Sequence, residues 1–180
     1  MNVQPASPLD WVTAQTRLLV DPNLRAQFRS NPEQVARDLA LSPVQSALFV
    51  RLSPAQLDSQ ARALIDKRYH ETRKLLPRTA ELMGKAMRPA FIEHALDYWP
   101  TGHQRHLHDA CKFARSLQIE RPEFVFLPEV NWLQHLASPA RLRLRCVRFR
   151  SPDRKSFFGV QTLIRFAGKP RQFLFGLAMP

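Results

Sequence analysis

The sequence predicts an α+β fold, in which an N-terminal multi-helix bundle is followed by a C-terminal three-stranded antiparallel β-meander. In the first third of the chain, proline repeatedly follows a helix-capping residue, which marks helix starts. Beyond residue 140, apolar and polar residues alternate with a period of two, which is typical of half-buried strands. We therefore predict a helical domain over 1–137 and a sheet over 138–180 packed on the helices, since three strands alone cannot bury a face.

The helical domain is predicted to begin with a helix over about 9–20. Further helix starts are predicted where a side-chain oxygen can accept a hydrogen bond from an unpaired backbone N–H and where proline stands at the first helical position. An N–H at that position would have no partner within the helix, so proline removes nothing from it. The longest helix runs from Pro54 to Leu76, and Pro77 ends or kinks it. The capped starts are Asp21-Pro22, Asn31-Pro32, Ser42-Pro43 and Ser53-Pro54, and later helices are predicted over 78–87, after Pro89, over 101–117 and over 128–136.

Three strands are predicted in the C-terminal segment. The first opens with an Arg/Leu alternation over 141–145, which breaks at Cys146-Val147 and there predicts a β-bulge or a strand end. Ser151–Asp153 supplies a turn, and the third strand covers Gln172–Leu177. The side chains predicted to share one face of the second strand are Phe158, Val160, Thr162, Ile164 and Phe166.

Charge is concentrated in the predicted sheet. The chain carries a formal net charge of +12, and residues 137–180 hold ten Lys/Arg against one acid, Asp153. Such a basic segment indicates an anionic partner, an acidic protein surface or a solvated face. No glycine-rich phosphate loop is present among the five glycines, so nucleotide binding through such a loop is excluded.

The cysteines and the N-terminal residues indicate the cellular compartment of the protein. Cys111 and Cys146 have no paired spacing, which favours reduced thiols in a cytoplasmic protein. The first residues lack a basic and then apolar signal segment. No window reaches the roughly 18 apolar residues of a membrane span. We expect a cytoplasmic chain without a membrane partner.

A histidine cluster is the strongest indication of enzymatic chemistry. His103 and His106 are predicted at an i,i+3 spacing on one helix face, as metal ligands can be. No set of Glu, Asp or Cys accompanies them, and two histidines leave a zinc site short of ligands. We therefore expect no metal and no catalytic residue on this chain. A metal-dependent enzyme that uses His103, His106 and His108 stays an alternative.

The arginine-rich first strand has three interpretations. Arg141, Arg143 and Arg145 could bind nucleic acid through its phosphates, with nearby phenylalanines for stacking. They could instead guard an exposed strand edge against aggregation, or dock on an acidic protein surface. Most of the phenylalanines are expected on packing faces, so nucleic acid is disfavoured as a partner and a basic nucleic-acid-binding module is kept as the alternative function.

The third strand has the opposite character, because it contains neither a charge nor a proline. If the order is a plain meander, this strand is an edge, and an unguarded edge invites pairing with another chain. A peptide added there gains backbone hydrogen bonds whatever its side chains are; the chain's own tail or a partner subunit could also cover it. The residues predicted to pair with a peptide are Gln172, Phe173, Leu174, Phe175, Gly176 and Leu177.

Two sets of segments carry a resemblance to known families. Leu18–Phe28, followed by Asn31-Pro32 and Leu39–Leu41, resembles the short-helix module of the small subunit of extradiol ring-cleavage dioxygenases. With the three-stranded tail, a more specific set of runs resembles the MbnC family, the partner subunits of methanobactin biosynthesis, over nearly the whole chain. Those runs are Leu64–Glu71, Leu75–Thr79, Tyr98–His106, Asp109-Ala110 and Phe113.

The resemblance implies a defined role. Members of this family are not catalytic alone and form a heterodimer with an MbnB-like TIM-barrel subunit that carries the iron. The complex uses dioxygen to convert cysteines of an MbnA-like precursor peptide into oxazolone and thioamide groups, which later bind copper. The partner subunit helps to recruit the peptide leader, which fits strand pairing on 172–177. The residues then expected to contact the iron subunit are Arg141, Arg143, Arg145, His103 and His106.

Overall fold

The structure is a computed structural model that describes residues 9–150, 156–166 and 168–178. Helices occupy the N-terminal part of these residues, and an antiparallel three-stranded sheet follows them. The predicted α+β class is therefore confirmed. The predicted turn at Ser151–Asp153 lies outside the described residues.

The chain divides into two compact units, residues 1–66 and 67–180. The division falls inside a helix, whereas the predicted domain boundary at 137/138 follows the change from helices to strands. That boundary stays a prediction. The helices are α1 Trp11–Val20, α2 Pro22–Ser30, α3 Pro32–Asp38, α4 Pro43–Phe49, α5 Pro54–Leu75, α6 Pro77–Met83, α7 Met87–Asp97, α8 Arg105–Glu120 and α9 Leu127–Leu136.

The first unit is a cluster of short helices whose starts are those that the proline pairs predict. Asp21 Oδ1 accepts hydrogen bonds from the N–H groups of Asn23 and Leu24, and Ser42 forms a capping box with Gln45. Phe28 and Phe49 pack edge to face at 5.1 Å between ring centroids. The buried core of this unit consists of Ala14, Leu18, Phe28, Val35, Ala36, Leu39, Phe49 and Leu57.

The second unit contains the sheet, with strands β1 Leu142–Arg150, β2 Ser156–Phe166 and β3 Lys169–Ala178 in the order β1-β2-β3. The register runs without an extra residue through the pairs Cys146↔Val160 and Val147↔Gly159. The predicted bulge or strand end at Cys146-Val147 is therefore wrong. Two neighbouring apolar residues reflect a β1 with apolar side chains on both faces, not a break in pairing.

The sheet packs on α9 through the face that carries Val147, Gln161 and Leu163, all buried. Gln161 fixes this contact, because its Nε2 donates to the carbonyl of Pro128 at 2.7 Å and its Oε1 accepts from Asn131 Nδ2 at 3.0 Å. The expectation that most phenylalanines near the arginine-rich strand lie on packing faces is wrong for Phe158 and Phe166. Phe158 is 52% exposed and Phe166 is 79% exposed.

Candidate peptide-binding sheet

The sheet face that turns away from α9 is exposed and carries many apolar side chains beside Arg148 and Arg171; we name it the open face. Residues paired directly across antiparallel strands lie on the same face, and the register places Leu144, Thr162 and Phe173 in one row and Val160 and Phe175 in another. Contiguous exposed apolar patches of this kind mark interaction sites. The exposed large apolar side chains of the open face are Leu142, Leu144, Phe158, Val160, Phe166, Phe173 and Phe175.

The outer edge of β3 presents backbone groups whose direction follows from the register. The N–H of Arg165 donates to the carbonyl of Arg141 at 2.7 Å, so Arg165 directs its backbone groups toward β1. Because successive residues of a strand direct these groups to opposite sides, Val160 points toward β3 and its partner Phe175 points toward β2. The residues of β3 that direct N–H and C=O away from β2 are then Gln172, Leu174 and Gly176.

Within the described part of the sheet, no strand pairs with that outer edge. The side chains of Phe173 and Phe175 lie on the open face, and Phe175 is 67% exposed. Gln172 and Leu174 lie on the side of α9, where Gln161 Nε2 donates to Gln172 Oε1 at 3.3 Å. A strand added to this edge would thus meet free backbone groups and, on one side, exposed phenylalanines. The predicted pairing residues are together in the structure; the placement of the Leu177 side chain lies outside what it describes.

The predicted arginines lie at the other edge of the sheet, on β1 or just before it. Arg141 and Arg145 are exposed, whereas Arg143 is half-buried and its Nη2 donates to Ser138 Oγ at 2.7 Å. Arg143 and Arg145 pair with Leu163 and Gln161, so they lie on the face that packs on α9. Their contact with a partner subunit stays a prediction.

The predicted histidines do not share a helix face. Helix α8 begins at Arg105, and Gln104 before it has a left-handed backbone with φ of 60°. His103 therefore precedes the helix, while His106 lies on it, and both are exposed. The i,i+3 geometry expected of them is wrong. Among the described residues there is no group of three or more His, Cys, Asp or Glu that could hold a metal ion.

A buried ion pair between Arg68 and Asp109 supports the second unit. Arg68 Nε and Nη2 donate to the two carboxylate oxygens of Asp109 at 2.8 and 2.9 Å. Nη2 also donates to the carbonyl of Tyr98 at 2.8 Å, and Nη1 to that of Ala95 at 3.3 Å. The guanidinium stacks on Trp99 at 4.6 Å from the ring centroid. One arginine thus ties α5, α7 and α8 together.

His94 also contacts the carboxylate of Asp109, because its Nε2 lies 3.2 Å from Asp109 Oδ1. Burial on its own raises the pKa of Asp109, but the hydrogen bonds from Arg68 and His94 outweigh it and hold the pKa below its usual range. Asp109 is therefore a charged, satisfied structural group and not a proton donor at neutral pH.

A second buried carboxylate, that of Glu129 on α9, caps the N-terminus of α6. Helix α6 has no side-chain cap of its own, and Glu129 of α9 accepts hydrogen bonds from the N–H groups of Arg78 and Thr79 and from Thr79 Oγ1. Burial raises the pKa of Glu129 despite these bonds. The carboxylate holds α6 against the helix on which the sheet packs.

The fold and the site together define an α+β protein that displays an open sheet edge beside an exposed apolar face. Residues 52–119 are similar to the family described as SCO6045-like, C-terminal domain. No curated protein and no solved structure matches the chain. The matched range includes Arg68, His94, Trp99 and Asp109 of the buried network, and the sheet lies beyond it. No helix of the described residues is long and apolar enough to cross a membrane.

Proposed function

We propose that this chain is a non-catalytic partner subunit that binds the leader of a precursor peptide by adding it as a fourth strand on β3. The observation that carries the proposal is the outer edge of β3, where Gln172, Leu174 and Gly176 direct unpaired backbone groups outward. Lys169, Pro170 and Arg171 lie at the start of the strand, and residues 172–177 contain no charge that would guard the edge. Strand addition gives affinity through main-chain hydrogen bonds.

The open face supplies the selectivity that backbone pairing lacks. Alternate side chains of an added strand fall on the same side as Phe173 and Phe175, which are exposed. A leader with apolar residues at every second position would bury them against these rings, and each large apolar side chain contributes about 1.5–3 kcal/mol when fully buried. The leader that fits this edge is therefore an alternating, amphipathic segment.

The chemistry belongs to a second subunit in this proposal. From the resemblance to the MbnC family, we propose an MbnB-like TIM-barrel partner that carries the iron and an MbnA-like precursor peptide whose cysteines become oxazolone and thioamide groups. The role of this chain is then to recruit and position the peptide in a cytoplasmic, dioxygen-dependent complex. The resemblance of Leu64–Glu71 and Tyr98–His106 supports this assignment.

Reconstitution tests the proposal. The chain is co-expressed with the MbnB-like subunit and the MbnA-like precursor of the same genome, and mass spectrometry follows the cysteines of the peptide. We expect co-purification of both subunits and conversion that requires both of them. Full conversion without this chain would contradict the proposal, as would sequence-specific nucleic-acid binding by this chain that persists at physiological salt.

A further inference from the structure

A basic cleft lies beside β1, the strand at the opposite edge of the sheet from β3. It has a volume of about 380 Å³ and is bounded by α8, by the C-terminal part of α9 and by the start of β1. The volume lies within the range of clefts that hold small molecules or a few side chains. The polar residues that line it are Tyr98, His108, Lys112, Arg115, Gln134 and Arg143.

The charge of this cleft is not compensated. Lys112 and Arg115 rise from α8 and are exposed, and Arg143 reaches the cleft from β1. No Asp or Glu lines the cleft, and in the described part of the chain none forms an ion pair with these three cations. Three cations without an acid repel one another, so an anionic occupant lowers the free energy of the site.

Two of the cations are held in place before any occupant arrives. The guanidinium of Arg143 is fixed by its hydrogen bond to Ser138 Oγ at 2.7 Å. The ammonium of Lys112 lies 5.2 Å from the ring centroid of Tyr98. Arg143 keeps further donors of its planar fork, which match a carboxylate or a phosphate. The cleft is therefore a prepared anion site and not merely a basic surface.

The surroundings favour an acidic protein segment over nucleic acid. Tyr98 is the aromatic ring of the cleft, and Lys112 lies against it, so it cannot serve as a stacking platform for bases. Lys112 and Arg115 stand three residues apart on α8, about 4.5 Å along the helix axis. Side chains at every second position of an extended peptide are about 7 Å apart, a spacing that the long Lys and Arg side chains can follow.

We propose that this cleft binds an acidic segment of a partner protein, with at least two carboxylates engaged by Arg143 and by Lys112 and Arg115. The site lies beside β1, whereas the proposed leader site lies on β3, and the sheet order β1-β2-β3 puts them at opposite edges. The inference does not depend on the proposed function. The two sites would select chemically opposite ligands, an acidic segment at the cleft and an apolar strand at β3.

Binding of a labelled hexaglutamate peptide to the full-length chain tests this proposal by fluorescence anisotropy at low salt. The Lys112→Glu, Arg115→Glu double variant is compared with the double variant Arg17→Glu, Arg51→Glu, which changes the net charge equally at exposed positions outside the cleft. We expect the cleft variant to bind about tenfold more weakly or worse and the control to stay within about twofold of the unmodified chain.

Three outcomes would overturn the proposal. Equal weakening in both double variants would show that net charge alone attracts the peptide. An unchanged affinity in a cleft variant whose circular dichroism matches the unmodified chain would place the binding elsewhere. Tighter binding of a dT12 oligonucleotide or of inorganic phosphate than of hexaglutamate at the cleft would assign it to another ligand. Leader affinity, measured on the same variants, is expected to stay unchanged, which separates this site from the β3 edge.

Discussion

Replacement of Asp109 by Asn should destabilise the second unit strongly. The substitution keeps the size of the side chain but removes the charge that balances Arg68, whose side chain is only 8% exposed beside a carboxylate that is 1% exposed. Breaking a buried pair by removing one partner costs about 3–5 kcal/mol, since the remaining charge stays buried without a counter-ion. With a urea dependence of about 1–3 kcal/mol per molar, the unfolding midpoint should fall by about 2 M.

The assay is urea unfolding followed by circular dichroism and by tryptophan fluorescence, because Trp99 stacks on Arg68 and reports the network. The control is the double variant Arg68→Met, Asp109→Leu, which removes both charges and should recover most of the loss. A single Asp109→Asn variant within about 1 kcal/mol of the unmodified chain would refute the reasoning. Additive losses in the double variant would refute it equally.

The lowered pKa of Asp109 also predicts how the free energy of unfolding depends on pH. The unfolded carboxyl titrates near 3.8 and the folded one lower, so the unfolded state binds more protons between the two values. The stabilisation is present above the unfolded pKa and is lost as the pH falls through the folded pKa. In the Asp109→Asn variant, this part of the acid dependence of the unfolding free energy should be absent.

Substitutions of Glu129 and Gly159, each with a control variant, test the support of the sheet. Glu129→Ala leaves the first N–H groups of α6 without their acceptor and should cost about 2–3 kcal/mol of unfolding free energy, while Glu129→Gln keeps an acceptor and should cost less. Because the folded pKa of Glu129 is raised, the folded state binds this proton more tightly than the unfolded state, so the free energy of unfolding falls as the pH rises from 4.5 through the folded pKa. Glu129→Gln should remove that dependence. Gly159→Ala would place a Cβ against the carbonyl oxygen of Phe175, so hydrogen exchange of the β3 amides should accelerate, whereas Val160→Ala on the open face should not accelerate it.

The order of helices and strands could be predicted from the sequence because the signals that determine it are local. A capping oxygen and a proline at Asp21-Pro22 or Ser42-Pro43 satisfy the backbone within one turn, and the structure uses them in that way. The alternation of β2 likewise places Phe158 and Phe166 on one face. The alternation predicts which residues share a face of the strand, but it does not predict which of the two faces packs on the helices.

The packed face is decided by contacts that are distant in sequence. Gln161 meets Pro128 and Asn131 of α9 across about thirty residues, and a glutamine on a strand does not by itself indicate a core position. Phenylalanines of β2 are expected on a packing face, but the packed face contains Gln161 together with the buried Val147 and Leu163. The open apolar face is therefore a feature that only the tertiary contacts disclose.

The buried network around Arg68 and Asp109 also depends on contacts that are distant in sequence, so it could not be predicted in full. One residue nevertheless indicated it. Asp109 lies four residues before Phe113 and eight before Leu117, on the buried face of α8. A carboxylate in an apolar helical stripe requires a buried partner. Its partner Arg68 lies 41 residues earlier, and no spacing rule connects the two. The histidine geometry failed at short range, because the left-handed backbone of Gln104 delays the helix until Arg105.

The direction of the β3 backbone groups decides how the docking edge must be tested. Phe175 directs its N–H toward Val160 of β2, so proline at 175 would damage the sheet itself. Leu174 directs its N–H outward, where proline removes a donor from the edge and leaves the pairing with β2 intact. Leu174→Ala is the matched control, because it shortens the side chain and keeps the N–H.

The affinity of the reconstituted complex for a synthetic MbnA-like leader peptide, measured by isothermal titration calorimetry, tests the central claim most directly. We predict that Leu174→Pro lowers this affinity about tenfold, through one lost hydrogen bond and the obstruction of strand pairing, while Leu174→Ala stays within about threefold. A folded Leu174→Pro variant with unchanged leader affinity would contradict strand addition on β3.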